Sequence, residues 1–334
     1  MRRTAPAGMI MCALLSVLAS CSEETPTEAT QGSPALAATA APSCNPHGHP
    51  GKIVDKVTAP SPWGVAVRDD GLAWFTEVFD DAIGFTSTKS RKLDGSVASG
   101  PVPTGIVFSP DGGTAYVANQ FGDVGVFDVA TRQSIGSIAV PNPLAVRVSP
   151  DGTQLFVATG NTQVFVVDAH SFAILNTVEV GFAPNGFAVH PDGRFLYVSS
   201  FLGGSVSEID MFTHQVLRTF AVGGTPQEMA LNRKGTRLYV ANEQGYLNEI
   251  DLTTGQEAPH IALQAGGFGV GVTPDDGQAY VTEPSAGVIE VINLQTRKIG
   301  KTFNVGGEPR RLGFSQHGHI AAATNVAGFI TFIR

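Results

Sequence analysis

The sequence predicts an all-β fold, a seven-bladed β-propeller of four-stranded antiparallel blades. Three observations carry that prediction: residue columns recurring at one period, a four-strand pattern inside each period, and a last unit that borrows a strand from the start of the chain. The first column is a proline opening a short apolar strand, at Pro62, Pro103, Pro143, Pro184, Pro226 and Pro309, with Gly267 in the sixth place. Its spacings are 41, 40, 41, 42, 41 and 42 residues. The second column is a turn glycine at Gly71, Gly112, Gly152, Gly193, Gly235 and Gly318, where the sixth unit has Asp275-Asp276-Gly277, its glycine one place late. The third is aromatic, at Trp74, Tyr116, Phe156, Tyr197, Tyr239 and Tyr280, with Ala322 in the last copy. Self-similarity at this period is the signature of a repeat architecture.

Each unit reads as four strands. The apolar run Ile106-Val107-Phe108 enters Ser109-Pro110-Asp111-Gly112, a hairpin turn with proline and glycine where such turns require them. Ala115 to Ala118, Val124 to Asp128 and Ser134 to Val140 follow, separated by polar turns. Alternating β-branched residues broken by Pro and Gly exclude helical repeats. The seventh unit stops after its third strand, Gly328 to Arg334, while Lys52 to Val57 reads like Lys298 to Phe303, a fourth strand elsewhere. The N-terminal strand is therefore expected to pair into the last blade, closing the ring and removing a free edge.

The propeller is assigned to residues 52–334. Before it, Arg2 and Arg3 precede a short apolar run from Met9 to Leu18, the order of a secretory signal and too short for a spanning helix. Residues 1–20 are read as that signal. The stretch Leu18-Ala19-Ser20-Cys21 resembles the lipobox of bacterial lipoproteins, which implies lipidation of Cys21; an ordinary cleaved signal or an uncleaved anchor are the other readings of the segment. Ser22 is not the Asp that favours inner-membrane retention in such proteins, so the expected address is the outer membrane, facing periplasm or cell surface. Residues 21–51, rich in Pro, Ala and Thr, read as a disordered tether spanning roughly 30 Å as a coil. Within it Cys44, His47 and His49 are potential soft-metal ligands on a poor cage.

The chain has 21 Lys and Arg against 29 Asp and Glu, and losing Arg2 and Arg3 leaves 19 against 29. An acidic body argues against nucleic acid as a partner. With Cys12 gone and Cys21 lipidated, Cys44 has no intrachain disulfide partner. A monomer is expected, with an envelope protein, a glycan or a small molecule as partner and the membrane reached through the lipid.

The runs SPDGGTAYVAN, SPDGTQLFVAT, HPDGRFLYVSS and RKGTRLYVANE resemble YVTN repeats, the units of YncE-like bacterial and archaeal propellers. The resemblance covers the whole of 52–334 and implies a fold and a secreted or surface address rather than a common reaction. The stretch Leu72 to Glu77 also resembles the W-F-T-E repeat of virginiamycin B lyases, echoed by Thr282-Glu283; that resemblance implies a propeller lyase with a metal and a catalytic histidine on one face. His190, His317, His170 and His214 fall instead in turns of the other face. No Walker loop, H-E-x-x-H or G-x-S-x-G pattern is present.

Candidate site residues come from the face where fourth-to-first and second-to-third strand loops converge on the channel. One column there is Glu77, Asn119, Thr159, Ser200, Asn242, Glu283 and Asn325; another is Trp63, Thr104, Leu144, Asn185, Gln227, Phe268 and Arg310. The next position is a ring of small residues (Gly64, Gly105, Ala145, Gly186, Gly269), broken by Glu228 and Arg311. Departures from a local rule mark either function or a structural ion pair. In the structural reading, Glu228 and Arg311 are solvated at a wet channel mouth. In the functional reading, Trp63, Glu77, Glu228, Phe268, Glu283, Arg310 and Arg311, with Asn119, Asn242 and Asn325, line a polar-aromatic ligand pocket. Glu77, Glu283 and Asn325 are expected as neighbours facing the two arginines. The function expected is a non-enzymatic binding or scaffolding module without catalytic residues or cofactor. The alternative is a lyase or hydrolase whose mouth carboxylates hold a divalent cation such as Ca²⁺.

Overall fold

A computed structural model describes residues 51–315 and 317–334. The predicted signal, Cys21 and the tether to residue 50, including Cys44, His47 and His49, lie outside the described residues.

Seven antiparallel sheets follow one another around a ring, the first six each entered at the innermost strand and left at the outermost. Blade two is typical: Pro103–Phe108, Thr114–Asn119, Val124–Asp128 and Gln133–Ile138 pair in that order. The proline column opens the inner strand, where no ladder N–H is needed. The turn glycines sit at positive φ, and in blade six Asp276 takes that conformation itself (φ 60°) instead of the glycine after it. Asp is among the few residues that tolerate it.

Two blades depart from the pattern. In blade five the fourth strand is split into Gln256–Glu257 and Ile261–Ala262, both pairing with Tyr246–Asp251. Pro259, with no N–H and a fixed φ, sits in the break. In blade six, where Gly267 replaces the proline, the inner strand shrinks to Val270–Val272.

The apolar core lies between blades rather than within them. Trp74 of blade one packs on Phe85 of its own sheet and on Phe108 of blade two, and both blades contribute to one cluster with Ile83, Ile106 and Val117. Equivalent clusters join the fifth blade to the sixth, and the sixth to the seventh. The ring closes as the repeat requires. Ile53–Thr58 pairs antiparallel with Phe329–Ile333, placing Ile53 opposite Ile333 and Val57 opposite Ile330. Val57 and Ala59 join Ile330, Phe332, Val65 and Phe75 in the cluster between the last blade and the first.

That closure generates a test. Val57→Asp puts a charge into the closing cluster and is expected to lower the unfolding free energy by about 3 kcal/mol or more. Ile299→Asp, on the exposed face of a fourth strand elsewhere in the ring, is expected to change it by less than about 0.5 kcal/mol. Urea denaturation of the two variants measures both.

Candidate functional site

The inner strands crowd the axis, and backbone spacing sets what fits there. A Cβ on Gly64 would lie 2.6 Å from the Thr104 carbonyl of the next blade, and one on Gly269 would lie 2.6 Å from that of Arg310. Hydroxyls tie neighbouring inner strands together at this level. Thr324 Oγ1 donates to Trp63 O (2.6 Å), Thr282 Oγ1 to Arg310 O (2.5 Å) and Ser199 Oγ to Gln227 O (2.7 Å). The three hydroxyl oxygens of Thr324, Thr282 and Ser199 also accept the backbone N–H of Arg311, Gly269 and Gly186 in turn.

Into this crowded ring project Glu228 and Arg311. Both are completely buried, with Arg311 Nη1 and Glu228 Oε1 3.5 Å apart. Neither residue is solvated at a wet mouth, contrary to the structural expectation. They form an ion pair inside the channel, and their neighbours' small side chains make the room. Arg311 also reaches Asn185 Oδ1 (3.5 Å), and its guanidinium lies 4.5 Å from the centre of the Phe268 ring. Two positions further along the inner strands, a second ring of small residues (Ala66, Ala188, Ala230, Gly271, Gly313, with Val107) is broken by Arg147. Arg147 is 4% exposed. Burial lowers its pKa to about 10 while the charge of Glu228 holds it up, so it is a cation at neutral pH. The channel thus holds an Arg–Glu–Arg set drawn from blades three, five and seven.

Above it the mouth is plugged. Trp63, Thr104, Leu144, Asn185, Gln227 and Phe268 are all at most 3% exposed. Trp63 and Phe268 meet edge-to-face with centroids 6.0 Å apart, and Arg310 lies over both rings at 5.4 and 4.9 Å. Arg310 also donates to Glu308 (2.9 Å). Asn185 donates to Gln227, which donates to Glu243 (2.8 Å). Of the predicted pocket residues, Trp63, Glu228, Phe268, Arg310 and Arg311 therefore converge.

The strand-two column is engaged elsewhere. Asn242 Oδ1 accepts from Thr225 N, and its amide donates to Gly223 O; Asn325 does the same with Glu308 N and Gly306 O. Asn119 holds Ser99 and Asp123. These amides clamp the crossover loop entering their own blade. Glu283 takes the same place, accepting from Ala265 N (2.5 Å). Burial pushes its carboxyl up to about 8, and adjacent Glu290 adds to the shift. Glu283 Oε1 and Glu290 Oε2 are both buried without a hydrogen-bond partner, an arrangement that a proton on one carboxyl relieves. Burial likewise raises Glu77 to about 7, with Asp80 contributing. Its carboxyl lies over Gly84, where a Cβ would be 2.6 Å from Oε1. Among the described residues no group of three or more His, Cys, Asp or Glu side chains gathers at one point.

Around the plug, on the loops of the same face, stand Phe79, Phe121, Phe182 and Leu202, each about half exposed or more. Phe182 O accepts from Gly203 N, bringing Phe182 beside Leu202. The places equivalent to Phe79, Phe121 and Leu202 in blades five to seven hold Gln244, Ser285 and Ala327. Phe79, Phe121 and Leu202 lie two residues beyond Glu77, Asn119 and Ser200, and Phe182 lies two before Pro184, so the register contained their signal. The same holds for Arg147.

No family model and no curated protein matches the chain. Among solved structures it is similar to a chain of Kuenenia stuttgartiensis hydrazine synthase, with a TM-score of 0.76 and 18% identity. The match covers 83% of this chain and 96% of that one. At that identity the likeness is one of fold.

Two expectations follow from the buried charges. Glu228→Gln removes the carboxylate between two guanidiniums and is expected to cost about 3 kcal/mol in denaturant unfolding, part of which Glu228→Gln/Arg311→Met recovers. For Glu283, the folded chain keeps its proton up to about 8 whereas an ordinary carboxyl releases it near 4.5. Between those values the folded state binds more protons than the unfolded one, so this group's contribution to stability falls as pH rises. Glu283→Gln is expected to match the parent's melting temperature near about pH 5 and exceed it near about pH 9.

Proposed function

We propose that this protein is a non-enzymatic binding or scaffolding propeller of the bacterial cell envelope, lipidated at Cys21, whose mouth face docks another envelope protein. One observation carries the docking reading. The channel mouth is filled by its own side chains, while an arc of exposed Phe and Leu side chains surrounds it on blades one to four. A sealed mouth leaves the loop tips as the recognition surface, and clustered exposed aromatics on a rigid scaffold are the anchors that protein interfaces use. The chain's direction supports the orientation. Ala59 N bonds Gly328 O at the mouth face, whereas Gly51 N bonds Arg334 O at the far end of the same strand. A tether leading to Gly51 therefore joins the ring on the face opposite the arc and leaves the arc turned outward. The envelope address rests on the signal-like N-terminus, the lipobox and the likeness to YVTN repeats.

A photo-cross-linking residue placed at position 121 in cells is expected to yield a discrete protein adduct. The same residue at position 131, an exposed turn of the other face, should give none. Serine at 79, 121, 182 and 202 together should abolish partner binding with the melting temperature unchanged, and Cys21→Ser should move the protein from membranes to the soluble fraction. Equal cross-linking from both faces, or membrane retention of Cys21→Ser, would overturn the corresponding half of the reading.

A further inference from the structure

The end of the channel opposite the plug is open. There the inner strands of blades one to four run into the turns 68–71, 109–112, 149–152 and 190–193, and their ends enclose a cavity of about 580 Å³. That volume lies within the roughly 300–1,000 Å³ of small-molecule sites. Val67, Phe108, Val148, Val189, Pro110 and Pro150 form its apolar part, and Arg68, Asp69, Asp70 and Asp111 also line it. Arg147, the buried cation of the second axial ring, is part of the lining.

The charges of the innermost strands are unequal along the axis. These strands carry Arg147, Glu228, Arg310 and Arg311. Arg310 ends at the plugged mouth against Glu308, whereas Arg147 lies toward the hollow end. A guanidinium lining a largely buried cavity attracts an anion far more strongly than one at an open surface. The entrance has the opposite sign and its carboxylates are occupied: Asp70 pairs with Arg68 (2.5 Å), Asp69 with His317 (2.7 Å), and Asp111 accepts from Ser109 and from Gly113 N. An acidic rim over a single buried guanidinium disfavours multiply charged anions and admits a monoanion. Apolar walls exclude a small hydrated one.

We propose that this cavity binds a small apolar monocarboxylate, its carboxylate turned inward to Arg147 and its alkyl or aryl part against Phe108, Val148 and Val189. A planar carboxylate matches the guanidinium fork. The site lies on the other face of the ring from the proposed docking arc and stands independently of it.

Isothermal titration calorimetry on the purified propeller, with octanoate and phenylacetate as probes and octan-1-ol, octylamine and octyl phosphate as comparators, tests the proposal. At least one carboxylate is expected to bind one-to-one with a Kd below about 1 mM. Octanol and octyl phosphate should bind at least about tenfold more weakly, the worth of one charge-assisted hydrogen bond. Arg147→Met should erase the preference for carboxylate over alcohol. Val189→Phe, which narrows the cavity and leaves the guanidinium in place, should weaken both, so the site remains testable if Arg147→Met fails to fold. Arg310→Gln, at the plugged end, should bind as the parent does. Absence of carboxylate binding, equal or stronger binding of octanol or octylamine, or unchanged octanoate affinity in Val189→Phe would overturn the proposal.

Discussion

The pairing of Ile53–Thr58 with Phe329–Ile333 is the contact on which the rest of this molecule depends. The large apolar clusters run from blade to blade, so a single sheet has no complete core of its own. An open ring would leave two unfilled faces, one at blade one with Val65 and Phe75, the other at blade seven with Ile330 and Phe332. Closure covers both at once and also pairs the last blade's edge. At the axis, Thr324 Oγ1 makes the corresponding join to Trp63 O. The first and last described strands of the chain thus meet, a contact of the highest sequence separation available, whose loop-closure entropy must be overcome before its burial stabilises anything.

Closure also dictates what can occupy the axis. Seven inner strands approach until carbonyls of one blade touch the Cα positions of the next, and Gly or Ala is the residue that fits. Glu228 and Arg311 fit because adjacent positions are small; a Cβ on Gly269 would lie 2.9 Å from Glu228 Oε2. Removing such charges from water is costly, and their mutual attraction offsets that cost only when the geometry is held. The ring holds it. The outcome is a channel with unlike ends, one filled by Trp63, Phe268 and the amides of Asn185 and Gln227, the other hollow beneath Arg147.

The architecture was legible because a repeat states each backbone requirement several times. Proline at the start of the inner strand, a left-handed turn residue and a buried aromatic recur where the geometry recurs, and the register then fixed which side chains reach the axis. Trp63, Glu228, Phe268, Arg310 and Arg311 were placed together on that ground, along with Glu77, Glu283, Asn119, Asn242 and Asn325, which are engaged elsewhere. Whether they would be wet or dry was not legible. Burial there depends on how long side chains from different blades fold over one another, as Arg311 does across Phe268, and no column records it. The direction of Asn119, Asn242 and Asn325 was hidden for a related reason. Their partners are backbone groups of crossover loops, and backbone groups leave no mark in a sequence. Blade five's split strand has Pro259 in its break, and blade six's shortened inner strand is the one whose opening proline is replaced by Gly267.

A ring of near-identical units carries little information where the units agree, so chemistry resides where they differ. The differences here are not scattered. Blades five and seven supply Glu228 and Arg311 to the interior, and blades five to seven keep polar or small tips. Blades one to four supply the apolar tips at one face, and their turns enclose the hollow at the other. One half of the ring places a buried pair at the axis, while the other half presents two surfaces built from loops, which can vary without disturbing the ladders. Arg147 links them: it belongs to the charged set through Glu228 and to the hollow through its place in the lining. An anion received at that end would therefore act first on the charge that Arg147 shares with Glu228.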